Sequence, residues 1–139
     1  MVKPWWVGLA LVLLSGGWAA DAPREPLPEA ALPGWKLALH GYTFRQKTLL
    51  ETLDIARELG IPYFSCTRGQ KIGKDFPEIF EPKMSAGASA AIKAKLAETG
   101  VKIVAYGVTG IPAKEADARA FFTWAKGWGL EALYTEIKP

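Results

Sequence analysis

From Trp35 onward the spacing of apolar positions changes period again and again. Apolar residues three and four apart, which make one face of a helix, give way to short runs with strand character. A glycine followed by an aliphatic residue marks each change: Gly60-Ile61, Gly100-Val101 and Gly129-Leu130. Glycine at such a point suits the left-handed residue that closes a helix, and the aliphatic side chain can fold back on the last helical turn. Upstream of these marks, Leu49, Leu53, Ala56 and Leu59 share one face of a first helix. Ala88, Ile92 and Leu96 share a face of a second helix, and Phe121, Trp124, Ala125 and Trp128 form a wide stripe on a third. Thr48-Leu49-Leu50-Glu51 reads as a capping box at the first helix, Ser85 as the N-cap of the second, and Pro112 precedes the third. Strands are predicted at 36–40, 63–66, 101–106 and 130–135, the third nearly continuously apolar and so buried on both faces.

The order is therefore β-α-β-α-β-α-β, and strands joined by helices in this way run parallel. Two α/β architectures satisfy it: an open doubly wound sheet, or the N-terminal half of an eight-stranded (β/α)8 TIM barrel. The turn after the first strand reads His40-Gly41-Tyr42-Thr43-Phe44-Arg45, which lacks the glycine fingerprint of dinucleotide binding. P-loop, H-E-x-x-H and nucleophile-elbow motifs are absent as well. A long loop spans 67–83 and contains Gly69, Gly73, Pro77 and Pro82; loops of that length in compact domains usually serve function.

The first 34 of the 139 residues have another character. Lys3 is the only charge before Asp21, an apolar run follows from Trp5 to Leu14, and small residues surround Ala19 and Ala20. This predicts a signal peptide at 1–20 and an exported protein, with a run too short to make a stable membrane span. Residues 21–34, with Pro23, Pro26, Pro28 and Pro33, read as a linker, leaving 35–139 as the folded domain. The single cysteine, Cys66, excludes an internal disulfide and falls at a strand end, where a buried thiol is expected. The formal charge of +3, with cations scattered among acids, gives no stripe for nucleic acid.

Several segments together resemble the sugar phosphate isomerase/epimerase family of xylose-isomerase-like TIM barrels. They are Leu37 to Arg45, Glu58 to Tyr63, Gly69-Gln70-Lys71-Ile72, Val101 to Val108, Phe121 to Gly129 and Glu136-Ile137-Lys138-Pro139. The likeness spans 35–139. It implies a partial barrel with its site at the C-terminal ends of the strands, a sugar or polyol substrate, and a divalent metal ion in a complete relative. The family often carries a glutamate near the end of the second strand, where this chain has Ser65, and a glutamine on the first strand, where it has His40. Ligands for the metal lie mainly on strands five to eight in such relatives, so no metal ligand is assigned here.

Candidate residues follow from position at strand ends and from side-chain chemistry. His40, an imidazole able to bind a sugar hydroxyl or act as an acid–base group, and Glu136, a carboxylate able to take a proton next to a carbonyl, are the catalytic candidates. Tyr42 and Tyr106 each offer a face and a hydroxyl to a sugar, with core packing as the alternative use. Arg68 and Lys71 lie on the long loop, where they can meet an anionic group of a substrate or remain solvated. The functional expectation is the N-terminal portion of an exported isomerase or epimerase that works by metal-assisted proton transfer, a portion inactive by itself. The alternatives are a non-catalytic carbohydrate-binding or interaction module, or a small α/β protein that self-associates through exposed strand edges.

Overall fold

A computed structural model describes residues 34–136. The expected signal segment, and all of the expected linker but Gly34, lie outside the described residues. The elements run β1 (Ala38–His40), α1 (Leu49–Glu58), β2 (Tyr63–Thr67), α2 (Ala86–Thr99), β3 (Lys102–Gly107), α3 (Glu115–Gly127) and β4 (Ala132–Tyr134), with a 3-10 turn at Gly41–Phe44. The strands form a single sheet in the order β1-β2-β3-β4, every pair parallel. This is the α/β arrangement of half a TIM barrel. The edge strands are shorter than their apolar runs, three residues each.

The helix boundaries follow the local chemistry. Thr48 accepts from the backbone N–H of Glu51 while the Glu51 carboxylate takes the N–H of Thr48, a complete capping box; Ser85 accepts from Ala88. Gly60, Gly100 and Gly129 have φ of 68°, 72° and 71°. Beyond α1, Ile61 N–H donates to Ala56 and Gly60 N–H to Arg57; beyond α3, Leu130 N–H donates to Ala125 and Gly129 N–H to Lys126. Both are Schellman closures, whereas Gly100 closes α2 with one bond to Leu96. The expected inward faces are buried at Leu49, Leu53, Ala56, Ala88, Ile92, Phe121 and Ala125, but Leu59 is 41% exposed because it lies at the C-terminal cap.

The register sorts strand residues between two faces. Phe64 and Cys66 of β2 join Ile103 and Tyr106 of β3 in a core packed against the helices. On the opposite face one row crosses all four strands, His40–Ser65–Ala105–Ala132, and a second runs Thr67–Gly107–Tyr134. The register shifts between Phe64 and Ser65, whose partners are Ile103 and Ala105, so Val104 is an extra residue in β3. The long loop is built rather than loose: Leu49 and Leu50 N–H donate to Lys71 and Ile72, and Ile72 and Phe80 are fully buried or nearly so.

Lys36, just before β1, makes an ion pair with Glu131, just before β4, with its ammonium 5.4 Å from the Tyr63 ring centroid. Those strands are not neighbours; about 4.8 Å per strand sets them roughly 14 Å apart in a flat sheet, with side chains standing parallel. The contact requires a sheet curled so that these side chains converge. The offset fits barrel geometry. A shear of 8 over eight strands slips residues of equal height by about one position per strand along each row. Since the row of His40 ends at Ala132, three steps bring Ala132 level with Leu37 and Glu131 level with Lys36.

Two glycine substitutions separate backbone conformation from strand contact. A Cβ on Gly100 would touch nothing within 4 Å, so Gly100→Ala is expected to lose only the cost of its left-handed φ, about 1–2 kcal/mol. A Cβ on Gly107 would stand 2.5 Å from the Tyr134 carbonyl oxygen. Gly107→Ala should therefore destabilise more in urea unfolding; equal midpoints for the two variants would contradict the close β3–β4 approach.

Candidate functional site

At the C-terminal end of β1 and the middle of β2, the inner face of the curled sheet carries a polar pair. His40 Nδ1 lies 3.1 Å from Ser65 Oγ. The pair forms because parallel register sets His40 directly beside Ser65 with both side chains on the same face. Their row continues into Ala105 and Ala132, which present only methyl groups beside the pair. Above it the next row offers the Thr67 hydroxyl, the bare backbone of Gly107 and the half-exposed Tyr134. Below, the Lys36–Glu131 ion pair and Tyr63 obstruct the N-terminal end.

The loop that follows β1 is held by a residue the sequence reading quoted without a role. Gln70 is buried, and its amide nitrogen donates to Thr52 Oγ1 at 2.9 Å and to the Lys47 carbonyl at 3.1 Å. A Cβ on Gly41 would meet Gln70 Oε1 at 2.9 Å and Phe64 at 3.0 Å, so only glycine fits next to His40. Gln70 thereby ties the β2–α2 loop to the β1–α1 turn and fixes the direction in which the chain leaves His40.

The candidate residues do not all gather at this pair. Tyr42, 57% exposed on the 3-10 turn, has the Arg45 guanidinium 5.0 Å from its ring centroid. Arg68 sits at the end of β2, where its backbone N–H donates to Gly107 at 3.3 Å, and its side chain is exposed. Lys71 is exposed, with its carbonyl used to start α1. Glu136 is exposed two residues beyond β4, on the inward parity of Ala132 and Tyr134. Tyr106 is corrected. It lies on the helix-facing side, 1% exposed, with its ring edge-on to Phe80 and Trp124, so it packs the core and does not line the inner face. Trp124 and Trp128 also pack against the core.

The sequence reading noted Ser65 only as a departure and missed it as the partner of His40. The partnership rests on the register between β1 and β2, which pairs His40 with Ser65 and which neither strand carries alone. Among the described residues no group of three or more His, Cys, Asp or Glu side chains could hold a metal ion. The donor set beside His40 is a hydroxyl, so the residues present do not fit a divalent metal site and no step is assigned to one. A groove of about 490 Å³ bounded by Leu96, Gly100, Trp128 and Glu131 lies at the opposite, N-terminal end of the strands, away from the pair.

No protein-family model matches the chain, and no curated protein matches it. Among solved structures it is similar to an uncharacterized protein from Parabacteroides distasonis, with a TM-score of 0.55 and 23% sequence identity over 73% of this chain and 53% of that one. The chain spans about half the length of that protein, and the likeness shows the fold.

Burial gives the domain an alkaline limit. It pushes the Cys66 thiol upward and the Tyr106 hydroxyl up to about 12. An unfolded tyrosine ionises near pH 10. Stability from keeping Tyr106 neutral is thus complete below about pH 10 and falls as pH rises toward 12. Tyr106→Phe should lose less stability than the native chain between pH 9 and pH 11, read by urea unfolding at each pH. An equal alkaline loss in both proteins would show that Tyr106 is not the group responsible.

Proposed function

We propose that this chain supplies one wall of a sugar- or polyol-binding barrel of the isomerase/epimerase type, in an exported protein. The observation that carries the reading is the His40–Ser65 hydrogen bond on the inner face, in one row with the small residues Ala105 and Ala132. A sugar presents several hydroxyls, each both donor and acceptor. The imidazole bonded to Ser65 through Nδ1 leaves Nε2 to serve one of them: as donor when Ser65 donates to Nδ1, as acceptor when Nδ1–H donates to Ser65. Thr67 and Tyr134 add hydroxyls in the adjoining row.

The chemistry such a wall supports is proton transfer next to a carbonyl. His40 would position the substrate oxygen and exchange its proton, and Glu136 would act as the base if a closed barrel brings it within reach of the carbon acid. Tyr42, Arg68 and Lys71 stand on the loops bordering the opening and would contact the outer parts of a substrate, the two cations favouring an anionic one. The family likeness, the parallel half-barrel and the placing of the polar pair all support this assignment over a non-catalytic module.

Titration calorimetry with a panel of aldoses, ketoses, polyols and sugar phosphates tests it. At least one class should bind, and His40→Ala and Ser65→Ala should each weaken binding by about 1–3 kcal/mol, the cost of a buried polar partner left unpaired. Both variants should keep the native circular dichroism, since neither side chain belongs to the hydrophobic core. Binding that ignores both substitutions, or no binding by any member of the panel, would sink the reading.

A further inference from the structure

The register between β1 and β2 sets a nucleophile beside a base. Ser65 Oγ lies 3.1 Å from His40 Nδ1, and the imidazole is that side chain's one hydrogen-bond partner among the described residues. Their surroundings differ: Ser65 is 5% exposed, while His40 is open to solvent. A hydroxyl stripped of water and bonded to an unprotonated imidazole nitrogen is the arrangement that makes serine nucleophilic. We propose that Ser65 and His40 form a catalytic dyad that hydrolyses esters of small carboxylic acids, with Thr67 as the oxyanion donor. The inference rests on this hydrogen bond and on the strand spacing, and it stands apart from the sugar reading.

The reaction balances within these groups. With the ring proton on Nε2, the Ser65 hydroxyl donates to Nδ1. Oγ bonds to the ester carbonyl carbon as Nδ1 takes its proton, and the carbonyl oxygen becomes an oxyanion. The oxyanion collapses, the carbon–oxygen bond to the alcohol breaks, and the imidazolium returns the proton to the departing oxygen. Water then attacks the acyl-serine with the same proton transfers, releasing the acid and restoring Ser65. Ester and water give acid and alcohol, and nothing is oxidised or reduced. His40 is exposed, so water can stabilise the imidazolium where a triad places a carboxylate.

Alternation along β2 supplies the third group. Thr67 stands two residues beyond Ser65 and shares its face. Two residues of rise set their Cα atoms about 6.6 Å apart. A carbonyl group bridges that spacing: with its carbon bonded to Ser65 Oγ, its oxygen comes within hydrogen-bond reach of the Thr67 hydroxyl. That hydroxyl bonds no other described group, and its row neighbour on β3 is Gly107, which has no side chain. Size selection follows from burial. Ser65 is nearly enclosed and has Ala105 beside it, so the acyl group must be small, an acetyl rather than a long chain. Cys66, between the two hydroxyls in sequence, is no rival. It belongs to the core on the other face, and burial pushes its thiol upward, away from the reactive thiolate.

Turnover of p-nitrophenyl acetate by the full chain, followed by stopped flow and by acid-quench mass spectrometry, tests the dyad. A burst of nitrophenolate stoichiometric with the chain should precede the steady rate, and the trapped acetyl group should sit on Ser65. Ser65→Ala should abolish the burst. His40→Gln should slow acylation by roughly 10²-fold or more with KM little changed. Thr67→Val should slow it by about 10²-fold, and p-nitrophenyl octanoate should react far more slowly than the acetate. Acetyl groups found on lysines alone, or on Ser85 or Ser89, would overturn the proposal. So would acylation of Ser65 at the native rate in His40→Gln. If a variant loses its circular dichroism, the position trapped in the native chain still decides. The probe carries no sugar, so the two readings fail separately: sugar binding without acyl-Ser65 ends this one alone, and acyl-Ser65 without sugar binding ends the other.

Discussion

One extra residue in β3 decides what each side of this sheet is for. Val104 interrupts the pairing between β2 and β3, so that Phe64 matches Ile103 but Ser65 matches Ala105. Strict alternation from Lys102, which pairs with the inward Tyr63, would set Val104 beside Ser65, turn Tyr106 inward beside Thr67 and push Ala105 into the helix layer. The bulge reverses both. A large aromatic enters the core, where Phe80, Phe121 and Trp124 surround it, and a methyl group takes the place beside Ser65. A site with room for a ligand and a core with enough apolar volume therefore come from the same irregularity.

The curl adds direction to that separation. Helices cover one face through Leu49, Leu53, Ile92 and Phe121, while the other face is concave and closed at its N-terminal end by Lys36 and Glu131. Both charges are about half exposed, so their attraction contributes little to stability. Their contact matters as a marker of shape. It holds polar side chains at the narrow end and leaves the His40–Ser65 pair facing the opening, which is where barrel enzymes of this architecture place their chemistry.

Much of the fold was legible because it rests on local signals. The capping box at Thr48, the N-cap at Ser85 and the three left-handed glycines are short motifs whose cause lies within a few residues. Leu59 was misread as inward because a helical face continues the pattern past the point where the chain turns away. The site was less legible. His40 was found from its chemistry, but its partnership with Ser65 depends on register between strands 25 residues apart. Tyr106 stood open between the pocket and the core because a bulge leaves no mark in composition, and the structure puts it in the core. Gln70 escaped notice because its bonds to Thr52 and Lys47 are long-range and polar, without any period to reveal them.

The central claim is that the sheet is curled with the stagger of a barrel, and zero-length carbodiimide cross-linking tests it most directly. An amide can form between Lys36 and Glu131 only if their side chains touch. Lys95 and Asp54, paired at 3.0 Å, provide the internal control. The account predicts that mass spectrometry of the digested monomer band finds the peptides of 36 and 131 joined, in a yield comparable to that of the control. Recovery of the Lys95–Asp54 link without any Lys36–Glu131 link would mean that the sheet is flat, and the concave site would go with it.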